Sequence, residues 1–243
     1  MKIQRIMPGM GIRSSLGTMG AAAVTMIEDD SRILVDVGHF GTRDALLAKL
    51  KELNLSPKDF DVVILTHLHW DHCLNLDLFE NAKVLLGKDE LKMGTLSGRP
   101  DKYTEAIRTL LKDLKAEGVT EPYSVSPHTR ILGSPGHSPG HISLVVQDEA
   151  GTVILTGDSI PGLRAYRRGV PDLVFYDLEL AKKSVLRVKE MKPRMIIPGH
   201  DRPFNDSGYL MRDSVEFIFR KESEENMVFV LKDVESDPFQ IRY

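Results

Sequence analysis

Two hydrophobic rhythms alternate along the chain. Short runs that are apolar at nearly every position predict buried strands at 22–28 and 32–37, joined by the acidic turn Asp29-Asp30-Ser31. Further runs at 60–66, 83–87, 129–133, 141–147, 152–156 and 194–198 predict more of them. The second rhythm is helical. Residues 42–54 place Leu46, Leu47, Leu50 and Leu53 on one face, with Thr42 as N-cap and Pro57 enforcing the stop. Residues 101–117 do the same with Tyr103, Ile107, Leu110, Leu111 and Leu114, and Gly118 is the expected terminator. A third helix is expected over 177–191, capped by Asp177, and the segments SVEFIF and NMVFVL predict a closing hairpin. Several strands are too apolar for a sheet wetted on one side. The expected architecture is therefore α/β, with sheets packed face to face and helices outside, in one domain over residues 1–243.

Chemistry is concentrated where these strands end. The stretch 64–76, ILTHLHWDHCLNL, leaves a strand with His67, His69, Asp71 and His72 inside six residues. After 129–133 comes SPGHSPGH, with His137 and His141; Asp158 follows 152–156, and His200 follows 194–198. Functional groups collect on loops held by a rigid scaffold. In an extended segment, positions i, i+2 and i+4 share a side, so His67, His69 and Asp71 should converge while His72 turns toward a second point. So many ligand types suit two adjacent metal ions. Imidazoles and carboxylates without thiolates fit zinc, iron or manganese in an open, reactive site. His39 and His128, each isolated, read as surface or internally satisfied histidines.

Composition narrows the setting. The chain is 42% hydrophobic and 28% charged with a net charge of -3, so it has no whole-molecule pull toward nucleic acid or anionic lipid. The single cysteine, Cys73, can form no internal disulfide and no thiolate cluster, which points to a reducing compartment. No apolar run approaches the length of a membrane helix, and Pro8 with nearby glycines interrupts any leader-like segment. A cytoplasmic protein with no membrane partner is the expectation.

The motifs THLHWDH, SPGHSPGH, LTGDS and PGHD, in that order between Ile33 and Phe204, resemble the metallo-β-lactamase superfamily of hydrolases. The resemblance implies a four-layer αββα sandwich with a dinuclear site at the edge between the sheets. It assigns His67, His69 and His137 to one metal and Asp71, His72 and His200 to the other, with Asp158 bridging. His141 becomes a supporting residue. The expected cofactors are two divalent ions, zinc first and iron or manganese as alternatives. The implied mechanism is hydrolysis by metal-bound hydroxide, directed by Asp71. Asp36, in ILVDVG, either orients a ligand or caps local amides.

His72 and Asp158 stand where antibiotic-degrading relatives often carry arginine and cysteine, so the pattern is similar to the lactonase, glyoxalase II and RNase Z side of the superfamily. Four readings of the activity compete. The stretches from SPGHSPGH through LTGDS to PGHD resemble lactonases and favour a small-molecule lactone or carboxylic ester. Pro161 occupies the place of a tyrosine expected after the bridging aspartate, with Tyr166 further along. ILVDVG, HCLNLDLF and PGHDRPF also resemble a metallo-β-lactamase-domain protein linked to histone pre-mRNA cleavage. With the basic cluster Arg164, Arg167 and Arg168, they support a phosphodiesterase or ribonuclease as the alternative. That cluster reads equally as a solvated loop, and nucleic acid is not favoured. Thioesterase activity ranks third; an iron-dependent oxidoreductase or a metal-binding module without turnover ranks fourth. The 101–117 helix, Phe40 and Trp70 are candidate walls of the cleft, and no substrate residue is assigned.

Overall fold

The computed structural model describes residues 1–14, 17–95, 99, 101–211, 215–219 and 227–231. Side-chain direction alternates along a strand, and here both directions are apolar because each sheet is covered twice. On Arg32–Val35, Ile33 and Val35 point to one core and Leu34 to another; on Val62–Leu65, Ile64 faces one way and Val63 and Leu65 the other. The same division holds for Leu144 and Val146 against Val145, and for Val153 and Leu155 against Ile154. The result is four layers.

The first six-stranded sheet runs, in order, Lys2–Met7, Val24–Glu28, Arg32–Val35, Val62–Leu65, Lys83–Gly87 and Glu117–Val119. The second runs Gly208–Tyr209, Phe204–Asn205, Met195–Pro198, Gly151–Gly157, Ile142–Asp148 and Thr129–Gly133. The middle core lies between them, with Ile33, Ile64 and Leu85 opposed by Leu144, Val153 and Ile197. Outside the first sheet pack the helices Arg43–Glu52, through Leu46 and Leu50, and Tyr103–Asp113, through Ile107 and Leu111. Outside the second pack Leu163–Arg168 and Leu178–Glu190, through Leu163, Tyr166, Val185 and Val188.

Two parallel pairings position the site. Arg32–Val35 is parallel to Val62–Leu65, so Asp36 and Thr66 leave from the same end. Gly151–Gly157 is parallel to Met195–Pro198, so Asp158 and His200 do too. Backbone bonds then stitch the two sheets at this edge: Ile142 N donates to the Thr66 carbonyl at 2.9 Å, and Ala23 N to the Gly199 carbonyl at 2.8 Å. The second bond explains why the strand begins at Val24 and not at residue 22.

Several sequence-based expectations need correction. Thr42 precedes its helix but does not cap it, because its hydroxyl donates to the His39 carbonyl at the end of a short 3-10 turn. The helix expected to reach Gly118 closes at Asp113. Lys115 takes the left-handed conformation at φ 52°, with Lys115 N bonded to the Lys112 carbonyl and Ala116 N to the Leu111 carbonyl. This is a Schellman closure, which frees Glu117–Val119 to pair as an edge strand. The N-terminal strand and the hairpin Met10–Ser14/Gly17–Ala21 were not expected from a segment so rich in glycine. Asp177 does cap its helix, accepting from Leu180 N at 2.8 Å. The closing hairpin pairs Val215–Phe219 with Met227–Leu231.

A left-handed lysine costs about 1–2 kcal/mol relative to glycine, partly offset by the greater chain entropy that glycine loses on folding. Lys115→Gly is expected to raise the unfolding free energy by about 0.5–1 kcal/mol, as measured by urea denaturation; a loss of stability would contradict the closure described.

Candidate metal centre

The segment after Thr66 does not stay extended. Trp70–Cys73 is a helical turn, so the i, i+2, i+4 expectation for His67, His69 and Asp71 fails. The turn rotates Asp71 away from the two histidines and onto the side of His72. The donor atoms fall into two sets, His67, His69, His137 and Asp158 in one, and Asp71, His72 and His200 in the other, each within 4.8 Å. The structure thus brings together the histidines that the resemblance groups, with Asp158 lying within the first set.

Asp158 faces both sets. Its Oδ2 lies 3.4 Å from His137 Nε2, and its Oδ1 lies 3.1 Å from His200 Nε2 and 3.3 Å from His72 Nε2. His69 Nδ1 and His137 Nε2 are 2.8 Å apart, and His200 Nε2 is 3.3 Å from Asp71 Oδ2. Such proximity between the GD and GH motifs demands small residues: a Cβ at Gly199 would lie 2.3 Å from Asp158 Oδ1.

Four of the five rings, all but that of His69, are held from behind. Asp36, in a left-handed conformation at φ 56°, accepts from His72 Nδ1 at 2.8 Å, Thr66 N at 2.8 Å and the Thr66 hydroxyl at 2.9 Å. Asp36 therefore orients the His72 ring and caps a local amide at once. The Thr66 hydroxyl also lies 3.0 Å from His67 Nδ1. The Leu173 carbonyl holds His137 Nδ1 at 2.8 Å, and the Met10 carbonyl holds His200 Nδ1 at 3.1 Å. His141 stands behind the set: it bonds Ser134, and its Nε2 accepts from Asp158 N.

Burial sets the charges. It pushes His67, His69, His137 and His141 below the usual imidazole pKa, leaving neutral rings with lone pairs. Burial opposes charge on His72 and His200 as well, but there Asp158 and its neighbouring carboxylates prevail, lifting His72 well up and His200 to about 9. Burial raises Asp158, yet the charges of His200 and His72 bring it well below the usual carboxylate range.

The residues fit a pair of cations. His67 Nε2 is buried without a hydrogen-bond partner, and Asp158 Oδ1 makes no aligned hydrogen bond despite its two imidazole neighbours. Orphaned buried polar atoms are rare unless something else satisfies them. Neutral imidazole and carboxylate are also the donors that open zinc-type sites use.

Residues 17–200 match the family model described as the metallo-beta-lactamase superfamily. The chain belongs to the metallo-β-lactamase superfamily. Within that superfamily it is similar to the N-acyl homoserine lactonase of Bacillus cereus, 33% identical over 162 residues, or 65% of this chain and 62% of that protein. The chain thus spans about 62% of the length of the curated lactonase it matches. It is also similar to metallo-beta-lactamase domain-containing protein 1 of Xenopus laevis, 32% identical over 189 residues, covering 75% and 71% of the two chains. Among solved structures, a B. thuringiensis AiiA variant with N-decanoyl-L-homoserine bound at the active site superposes with TM-score 0.66 at 26% identity. It covers 82% of this chain and 92% of that one.

Around the superfamily site, the structure redistributes the remaining candidates. Phe175, unremarked in the sequence, sets its ring edge-on against His69 and His137 at 4.9 and 5.3 Å. The Tyr103–Asp113 helix, a candidate wall of the cleft, turns its apolar face into the outer core. Trp70 packs edge-on against His39, whose Nδ1 accepts from Gly41 N; Phe40 lies 63% exposed beside Arg43. Tyr166 is far from replacing the expected tyrosine: it is buried in the outer core and its hydroxyl donates to Asp206. His128 is satisfied at the surface by Asp29. Among the described residues, no helix is long and apolar enough to cross a membrane.

Gly199→Ala should force Asp158 or the Met195–Pro198 strand aside, at a cost typical of overpacking, about 1–3 kcal/mol. Both bound-metal content and thermal stability are expected to fall; an unchanged metal content would contradict the close approach.

Proposed function

We propose that this chain is a metal-dependent hydrolase that opens a lactone or carboxylic ester bearing an apolar acyl group. The observation that carries this reading is an apolar rim set directly against a buried His/Asp cluster. Phe175 touches His69 and His137, and Leu173, Phe175 and Tyr176 stay 40%, 45% and 50% exposed on the same loop. Trp70, between His69 and Asp71, adds a further partly exposed aromatic face. Exposed apolar clusters of this kind mark ligand-binding surfaces. A solved N-acyl homoserine lactone hydrolase that carries N-hexanoyl-L-homoserine at its metal center is 27% identical to this chain and superposes with TM-score 0.64. The match covers 76% of this chain and 83% of that one.

In this reading His67, His69 and His137 would hold one cation and Asp71, His72 and His200 the other, with Asp158 available to both. Two divalent ions, zinc first, would supply Lewis acidity and a water acidified toward a pKa of about 7. The chain's own contribution is positional. Asp36, Thr66 and the Leu173 and Met10 carbonyls fix the rotation of four imidazoles, so that no reorganisation is needed during turnover. Asp71 would accept a hydrogen bond from the attacking water and so fix its direction. Phe175 shields the His69 side from solvent and, with Leu173 and Tyr176, packs the acyl chain so that the carbonyl lies over the cluster. Tyr166 takes no part.

The basic cluster gives less support to a phosphodiester. Arg168 is bound by Asp172 and by the Val170 and Pro171 carbonyls, and Arg164 and Arg167 lie on the exposed side of a helix whose other side is core.

His69→Ala should remove a cation and lower turnover more than about 100-fold, beyond the loss typical of residues behind a ligand. Full activity in metal-depleted protein would overturn the reading. A panel of acyl lactones, carboxylic esters and bis-p-nitrophenyl phosphate should show the carboxyl substrates preferred; faster phosphodiester turnover would reverse the assignment. Phe175→Ala should raise KM for a long-chain acyl lactone by about tenfold, the equivalent of a partly buried phenyl ring, and do so more than for a short-chain one. Equal effects on both would remove the rim from substrate binding.

A further inference from the structure

Glu90 is a fully buried carboxylate on the Lys88–Met93 helix, outside every motif of the site. Its Oε1 accepts from Leu68 N at 2.9 Å, and Leu68 lies between His67 and His69. Its Oε2 accepts from the Ser138 hydroxyl at 2.7 Å and from Gly140 N at 3.0 Å, in the turn that begins at His137. That turn sits directly on the helix: a Cβ at Gly140 would lie 1.8 Å from Glu90 N. One side chain thus fixes both loops that deliver His67, His69 and His137. None of its hydrogen bonds reaches the other set. Asp36 holds His72, and the Met10 carbonyl holds His200.

Resting on the two-cation reading above, we infer that Glu90 is a positioning residue for one cation only, the one assigned to His67, His69 and His137. Its three hydrogen bonds need two acceptor oxygens. Glutamine keeps the volume but offers one oxygen and a donor NH2, so either Leu68 N or the Ser138–Gly140 pair meets a donor and must retreat. The loops keep a second link through Ile142 N and the Thr66 carbonyl, so the fold does not depend on Glu90 alone.

The test is calorimetric titration of metal-free, full-length protein with Zn2+. Wild type is expected to take up two equivalents; failure to do so would overturn the two-cation reading itself, and the inference with it, before any Glu90 variant is made. In a His200→Ala background, Glu90→Gln should weaken the remaining cation about 10–100-fold, the range for residues that orient ligands. In a His69→Ala background it should change the remaining affinity by less than about twofold, as for independent sites. Equal losses in both backgrounds, or none in either, would overturn the assignment. Should Glu90→Gln not fold, Ser138→Ala removes one donor without changing the carboxylate. It should reproduce the same asymmetry, and a symmetric result would again overturn the inference.

Discussion

The structure depends on two sheets meeting at one edge through backbone hydrogen bonds. The Ile142 N–Thr66 and Ala23 N–Gly199 bonds join strands of different sheets just where the parallel pairs end. Each sheet alone would deliver half a site, with His67 to His72 from one and His137, Asp158 and His200 from the other. The apolar face between the sheets supplies the force that closes them, while the edge bonds set the register at which opposite loops come within coordination distance. A small slip of one sheet on the other would part Asp158 from His72 and His69 from His137.

Closing this edge buries groups that resist burial. Six of the seven proposed ligands are at most 8% exposed, among them two carboxylates. Ionised groups leave water only when paired or neutralised, and the chain uses both routes. Burial pushes the three imidazoles of one set toward the neutral form, whereas Asp158, with Asp71 and, for His72, Asp36, favours the protonated form of His72 and His200. Metal binding at such a site displaces protons and couples occupancy to the stability of the edge. The supporting groups belong to the same economy of charge: Asp36 compensates His72, and Glu90 is satisfied by three donors from two loops.

Much of this was legible in the sequence, for identifiable reasons. The apolar strands and the polar residues after them were readable because burial on both faces leaves an unbroken hydrocarbon run, whose end is conspicuous when it reaches His67, Asp158 or His200. Asp177 was readable because a cap is a local rule. What stayed hidden was non-local or atypical. Lys115 occupies a position where glycine is the usual signal, so the helix end was misplaced. The turn at Trp70–Cys73 forms in a segment too short for periodicity, and it moved Asp71 to the other side. Glu90 lies in KDELKM, which reads as a solvated helix, and its burial arises only from the two loops that descend on it. Phe175 sits in an irregular loop with no pattern to betray it.

That division corresponds to a division of labour. Groups proposed to carry the chemistry hang from strand ends and are fixed by buried partners; Asp36, Thr66, His141 and Glu90 all lie behind the rings, away from solvent. The rim proposed to meet the substrate comes from the 173–176 loop and the Trp70 face, where side chains are partly exposed and are locked by few partners. A change at Leu173 or Tyr176 alters the apolar surface offered to an acyl group without disturbing any hydrogen bond made by Asp36 or Glu90. The two layers touch where the Phe175 ring lies against His69 and His137, where Phe175 N bonds the His137 carbonyl, and where the Leu173 carbonyl accepts from His137 Nδ1. That bond uses backbone, so it survives any side chain at position 173 that leaves the loop conformation intact. Leu173 and Tyr176 can therefore vary without changing the metal-holding edge, whereas Phe175 belongs to both layers, which is why motifs at the strand ends say so little about the proposed substrate rim.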